Sequence, residues 1–131
     1  MRLLLDTHIA LWAIVDDPKL PSIAQRLIAE PGNEVFVSVV SLWEIAIKRA
    51  LARGRSTDMP ISAKEALRYC QEAGYRILEM TAEHAVAVES LPTRHADPFD
   101  QLLVAQALSE PMRLITHDAK VAAYGETIMR V

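Results

Sequence analysis

The sequence predicts an α/β fold, a parallel sheet flanked by helices on both faces. Two observations predict it. Short apolar runs, each the length of one strand, alternate along the chain with segments of helical periodicity. Turn and capping residues separate them, and parallel strands need crossover connections of this kind.

Arg2 to Leu5 is an apolar run that stops at Asp6, and Ile9, Leu11, Trp12 and Val15 behind it have helical spacing. Pro18 and Pro21 break that helix, and Ile23 to Ala29 reads as a second, ended by Pro31-Gly32. Glu34 to Val37 is β-branched and aromatic enough for a strand. Ser41, with Glu44 three residues on, has the pattern of a capping box and predicts a helix reaching about Arg53. Gly54 to Pro60 reads as a loop; Ser62 with Glu65 repeats the capping pattern and opens a helix that Gly74 stops. Tyr75 to Leu78 is the next strand, Thr81 opens a helix ending before Pro92, and Asp97-Pro98 opens another. Met112 to Thr116 reads as a strand, Ala119 to Tyr124 as a short helix and Thr127 to Val131 as a last strand.

The chain has 131 residues, the size of one compact domain spanning 1–131 that buries about two thirds of its unfolded surface. With 51% apolar and 24% charged residues it has the composition of a globular protein. The longest apolar run, Val35 to Trp43, holds two serines and ends at Glu44, far short of the ~20 residues that span a bilayer, so a soluble protein without membrane attachment is expected. The N-terminal MRLLLDTH lacks the apolar stretch and cleavage site of a targeting peptide, and the one cysteine, Cys70, allows no internal disulfide. Both fit a cytoplasmic protein. A net charge of −3 argues against nucleic-acid binding by bulk electrostatics, although acids gathered around cations would count as negative in that sum.

Four acids stand where chemistry is expected. In open parallel sheets, sites lie at the carboxyl ends of strands, and Asp6 and Asp118 follow the apolar runs of LLLDTH and RLITHD. Either can equally be an N-cap or turn residue. Glu44 sits among apolar neighbours in LWEIAI, where a carboxylate is costly unless paired or metal-bound; its modest alternatives are a capping box with Ser41 and an i,i+4 pair with Lys48. In HADPFDQLL, Asp97 stands directly before Pro98, where an N-cap belongs, and Asp100 one turn in, so Asp100 is preferred as a ligand and Asp97 as a cap or supporting acid. Such converging carboxylates suit Mg²⁺ or Mn²⁺ and phosphodiester cleavage.

Other polar residues carry weaker signals. His8, His95 and His117 each lie near one of these acids and can contact phosphate or move a proton, whereas His84 reads as an ordinary helix residue. Thr7 and Thr116 can orient water or a carboxylate, or simply serve capping and strand propensity. Lys48, Arg49, Arg53 and Arg55 form the one basic stretch, read as a solvated helix end, or more sharply as contacts to a phosphate backbone or to an acidic partner.

Taken in order, LLLDTH, SLWEIAIK, DPFDQLLVAQA and LITHD resemble the PIN-domain ribonucleases, particularly VapC-type toxins of bacterial toxin–antitoxin modules, over about residues 3 to 118. The resemblance places Asp6, Glu44, Asp100 and Asp118 as the four acids of the site. It implies a five-stranded sheet in order 3-2-1-4-5, a homodimer, Mg²⁺ or Mn²⁺, an RNA substrate and a cognate antitoxin. Two positions depart from the commonest family pattern: Thr7-His8 stands for Thr-Asn, and Asp118 for Asn.

Two other readings compete. A haloacid-dehalogenase-like phosphatase needs a second Asp two residues after the first, and Asp6-Thr7-His8 lacks it; the adjacent acids of a receiver domain are missing too. A degenerate PIN fold kept as a binding module predicts loss of one or more acids, and all four are present.

Overall fold

The computed structural model describes residues 1–52, 59–92 and 97–131. Its strands are β1 (Arg2–Leu5), β2 (Glu34–Ser38), β3 (Arg76–Leu78), β4 (Arg113–Thr116) and β5 (Ile128–Arg130). The helices are α1 (Thr7–Ile14), α2 (Ser22–Ala29), α3 (Val39–Ala52), α4 (Ala63–Glu72), α5 (Ala82–Ala87), α6 (Pro98–Ser109) and α7 (Ala119–Ala122), with a 3-10 turn at Val88–Ser90. The five strands pair in parallel in the order β3-β2-β1-β4-β5, as expected.

β1 shows why the sheet is covered on both faces. Successive side chains of a strand point to opposite faces. Leu4 packs with Phe36, Leu103, Val104 and Leu114 on the α6 side, while Leu3 and Leu5 pack with Ile9, Ala10 and Ala24 on the α1–α2 side. All three leucines are fully buried, the pattern of a central parallel strand. A third cluster, Leu11, Ile45, Met59 and Ala66, joins α1, α3 and α4.

The strand order runs outward from β1 to β3 and then resumes on the other side of β1 with β4. The carboxyl ends of β1 and β4 are therefore neighbours at the point where the order reverses, the usual place for a site in such sheets.

Ser62 and Thr81 cap α4 and α5 through capping boxes, and Gly74 follows α4 with φ of 81°, the left-handed conformation that stops a helix at little cost to glycine. The expected cap at Ser41 is a correction. β2 runs straight into α3, which starts at Val39, so Ser41 lies inside the helix and is fully buried. It is Ser38 whose hydroxyl accepts from the Val40 N–H at 3.0 Å. Glu44 is thus well inside the helix and is no capping-box partner. The end expected at Arg53, and the 54–58 part of the expected loop, lie outside the described residues.

A buried polar chain ties β2 to α5 and α6. The Ser38 hydroxyl donates to Gln106 Oε1 at 2.6 Å, and Gln106 Nε2 stands 3.4 Å from both the Glu79 carbonyl oxygen and His84 Nδ1. His84 accepts from the Thr81 N–H at Nδ1, which leaves Nε2 to donate to Glu110 at 2.6 Å. His84, read as an ordinary helix residue, is in fact 1% exposed and central to this chain. Gln106→Leu leaves the Ser38 hydroxyl buried without its acceptor and should cost about 1–3 kcal/mol, seen as a lower urea midpoint at unchanged slope.

Candidate active site

Asp6 follows β1 and caps α1: Oδ1 accepts from the Ile9 N–H at 2.9 Å. Its other oxygen accepts from the hydroxyl of Thr116, the last residue of β4. The Thr116 oxygen in turn accepts from the Asp118 N–H at 3.0 Å, so this one hydroxyl links the acids that follow the two adjacent strands. Asp6 is 7% exposed, and burial pushes its carboxyl up to about 6, against the Thr116 and Ile9 hydrogen bonds that pull it down.

Glu44 is buried on α3 with both oxygens engaged. The Thr7 hydroxyl lies 2.6 Å from Oε1 and 3.0 Å from the Ser41 oxygen, while the Lys48 ammonium meets Oε2 at 2.5 Å. The helix places Lys48 one turn after Glu44, on the same face. Partial burial works to lower the Lys48 pKa, but the Glu44 bond and charge, with the charges of Asp97 and Asp100, outweigh it and raise the value.

Asp97 caps α6, its Oδ1 accepting from the N–H groups of Phe99 at 2.9 Å and Asp100 at 3.2 Å. Asp118 caps α7 by accepting from the Lys120 N–H at 2.8 Å. Asp6, Thr7, His8, Glu44, Lys48, Asp97, Asp100 and Asp118 line one cavity of about 160 Å³. All four acids preferred from the sequence are brought together there, with Asp97 beside them and Thr116 behind Asp6.

The donor set suits a hard divalent cation in type and charge: among the described lining residues, five carboxylates, all oxygen donors, stand with one ammonium. Among the described residues, no three Asp, Glu, His or Cys side chains lie close enough together to chelate an ion as they stand. As they stand, Asp6, Asp97 and Asp118 accept at helix starts, and Glu44 is bonded to Thr7 and Lys48. Each of these four carboxylates retains lone pairs beyond those bonds, Asp97 on its other oxygen, so the bonds do not exclude coordination.

The basic stretch divides. Lys48 lines the pocket rather than ending a solvated helix, whereas Arg49 donates to the Met59 carbonyl oxygen at 2.9 Å. Arg53, Arg55 and His95 lie outside the described residues. The His117 Nδ1 is 2.6 Å from the Val131 carbonyl oxygen, away from the acids' own bonds. Sequence reasoning missed Ser41 as a partner of Thr7; the signal available was its position three residues before a buried acid, which it misread as a cap.

An acidic pocket at the reversal point of a parallel sheet defines the class: an α/β domain whose candidate site lies at the carboxyl ends of its strands. The chain belongs to the PIN domain family, whose model matches residues 3–126. It is 29% identical to Ribonuclease VapC22 of Mycobacterium tuberculosis (strain ATCC 25618 / H37Rv) over 122 residues, 92% of this chain and 90% of that protein. The fold matches the crystal structure of VapBC2 from Rickettsia felis bound to a promoter DNA fragment, with a TM-score of 0.69 at 17% identity, covering 100% of this chain and 98% of that one. It also matches Mycobacterium tuberculosis VapC20, a Sarcin-Ricin loop cleaving toxin, with a TM-score of 0.63 at 19% identity, covering 94% of this chain and 95% of that one.

Proposed function

We propose that this protein is the ribonuclease toxin of a toxin–antitoxin pair, cleaving RNA phosphodiester bonds with Mg²⁺ or Mn²⁺ at the acid pocket. The observation that carries the reading is the convergence of Asp6, Glu44, Asp100 and Asp118, from separate elements, on one cavity at the sheet's reversal point. The similarity to Ribonuclease VapC22 supports RNA as the substrate, and the VapBC2 structure supports a cognate antitoxin. The reading includes a homodimer and a cytoplasmic location; among the described residues no helix is long and apolar enough to cross a membrane.

Asp6, Asp100 and Asp118 would hold the cation, with Glu44 completing the set and Asp97 supporting Asp100. When bound, the cation lowers the pKa of a water and neutralises charge on the phosphate and leaving oxygen. The chain's own residues supply the rest. Thr116 and the Ile9 N–H fix the Asp6 side chain, so little reorganisation remains at the moment of reaction. Thr7 and Lys48 do the same for Glu44, and the Lys48 ammonium brings a positive charge to an anionic pocket that must accept a phosphate. Water attacks phosphorus in line with the leaving oxygen, and no protein nucleophile is needed.

Purified chain, free of partner, should cleave single-stranded or structured RNA with Mg²⁺ or Mn²⁺ and not with EDTA, and Asp6→Asn should lower the rate at least about 100-fold. Undiminished cleavage in EDTA or by Asp6→Asn would overturn the reading. Binding of RNA without cleavage under any cation would replace it by a PIN-fold binding module.

A further inference from the structure

A second cavity, of about 310 Å³, adjoins the acid pocket, and the two share His8. Its lining comes largely from α1 and its C-terminal cap, where Leu11 and Val15 supply apolar surface beside Trp12. Its polar lining includes Asp17 and Lys19. The indole meets two rings, His8 tilted against it and His117 edge-on, each with centroids 5.9 Å away. Both histidines sit within two residues of an acid of the neighbouring pocket, and His117 is tied down at Nδ1. Thus one aromatic wall runs from the acids into the cavity.

The two cavities differ in charge. Among the described residues, the acid pocket sets five carboxylates against one lysine, whereas the second holds one carboxylate, Asp17, and one ammonium, Lys19. A phosphate gains nothing from that neutral pair beyond what bulk solvent gives. A nucleobase gains an aromatic face, apolar walls, an acceptor for its amino groups and a donor for its carbonyls. The volume lies at the lower end of the roughly 300–1,000 Å³ usual for small-ligand sites.

We propose that this cavity receives a base of single-stranded RNA, next to the phosphodiester held at the acids, with its face against Trp12 and its edge toward Asp17 and Lys19. The inference rests on the ribonuclease reading above and adds a specificity site to it. It also gives His8 a role, as the wall common to the cleaved phosphate and its neighbouring base.

The test is a set of oligoribonucleotides of about ten residues, each with one abasic position, bound in Ca²⁺ and read by anisotropy. One position should stand out, its missing base weakening wild-type binding roughly 5- to 100-fold. Trp12→Leu should bind the intact RNA as weakly as wild type binds that abasic one and lose less than about twofold more from the abasic change, while Trp12→Phe keeps most of the sensitivity. Since Trp12 also packs against the α1–α2 core, the same question is put to a folded chain: in Trp43→Phe, Trp12 emission should be quenched by the intact RNA and not by the abasic one. The inference is overturned if no position stands out, if Trp12→Leu keeps the full abasic penalty, or if it leaves every RNA affinity unchanged, the result expected when a protein side chain is the occupant. Wild-type cleavage of the intact RNA in Mg²⁺, run in parallel, separates the two failures. No cleavage sinks the ribonuclease reading; cleavage without an abasic-sensitive position sinks only the base site.

Discussion

Asp6→Asn is expected to stabilise the metal-free protein at neutral pH while removing cleavage. Burial raises the Asp6 carboxyl from 3.8 to about 6, so the folded chain binds that proton more tightly than the unfolded chain. Stability carried by this group is complete below about pH 4, falls as pH rises from 4 to 6, and stays diminished above that. The loss is about 3 kcal/mol at pH 7 and beyond. Asparagine keeps an acceptor for the Ile9 N–H and carries no charge to desolvate. In EDTA, the urea midpoint of the variant should exceed that of wild type at pH 7.5, with the difference vanishing near pH 4. A variant less stable than wild type at pH 7.5 would show that the buried charge is not the dominant cost.

Asp100→Asn should lower cleavage by at least about 100-fold and abolish the rise in melting temperature that Mn²⁺ gives the wild type. Asp97→Asn should do much less, under about tenfold, because the observed role of Asp97 is to accept two N–H bonds at the start of α6 and asparagine caps as well as aspartate. Asp97→Ala separates the roles further, losing about 1 kcal/mol of stability with its cap. A larger loss of Mn²⁺ affinity from Asp97→Asn than from Asp100→Asn would reverse the assignment.

Much of the fold was legible because each strand is a short apolar run with a stop signal behind it. LLL before Asp6 and LIT before His117-Asp118 are buried on both faces, as strands of a parallel sheet covered by helices are. The start of α3 was not legible. Two serines bracket Val39-Val40, and the local pattern favours Ser41 with Glu44, whereas the deciding contacts reach across the fold, from Ser38 to Gln106 and from Ser41 to Thr7. His84 was misjudged for the same reason, its partners Gln106 and Glu110 lying 22 and 26 residues away.

For the acids, the sequence posed caps against ligands as alternatives. Asp6, Asp97 and Asp118 each cap a helix and each line the same pocket, because helices that start at the carboxyl edge of a parallel sheet present their capping residues to the site. Lys48 was the residue least visible in advance. Its spacing to Glu44 was plain, but a surface pair and a pocket pair have the same spacing, and the difference lies in the burial of Glu44.

In the function proposed above, these carboxylates hold the cation with which RNA is cut. Single-turnover cleavage of labelled RNA at pH 7.5, followed as Mg²⁺ is titrated, tests it most directly with wild type and Asp100→Asn side by side. The wild type should show a saturable rise in rate, and the variant a strongly depressed rate that higher Mg²⁺ restores only in part. Identical Mg²⁺ dependence and equal rates for the two proteins would contradict it.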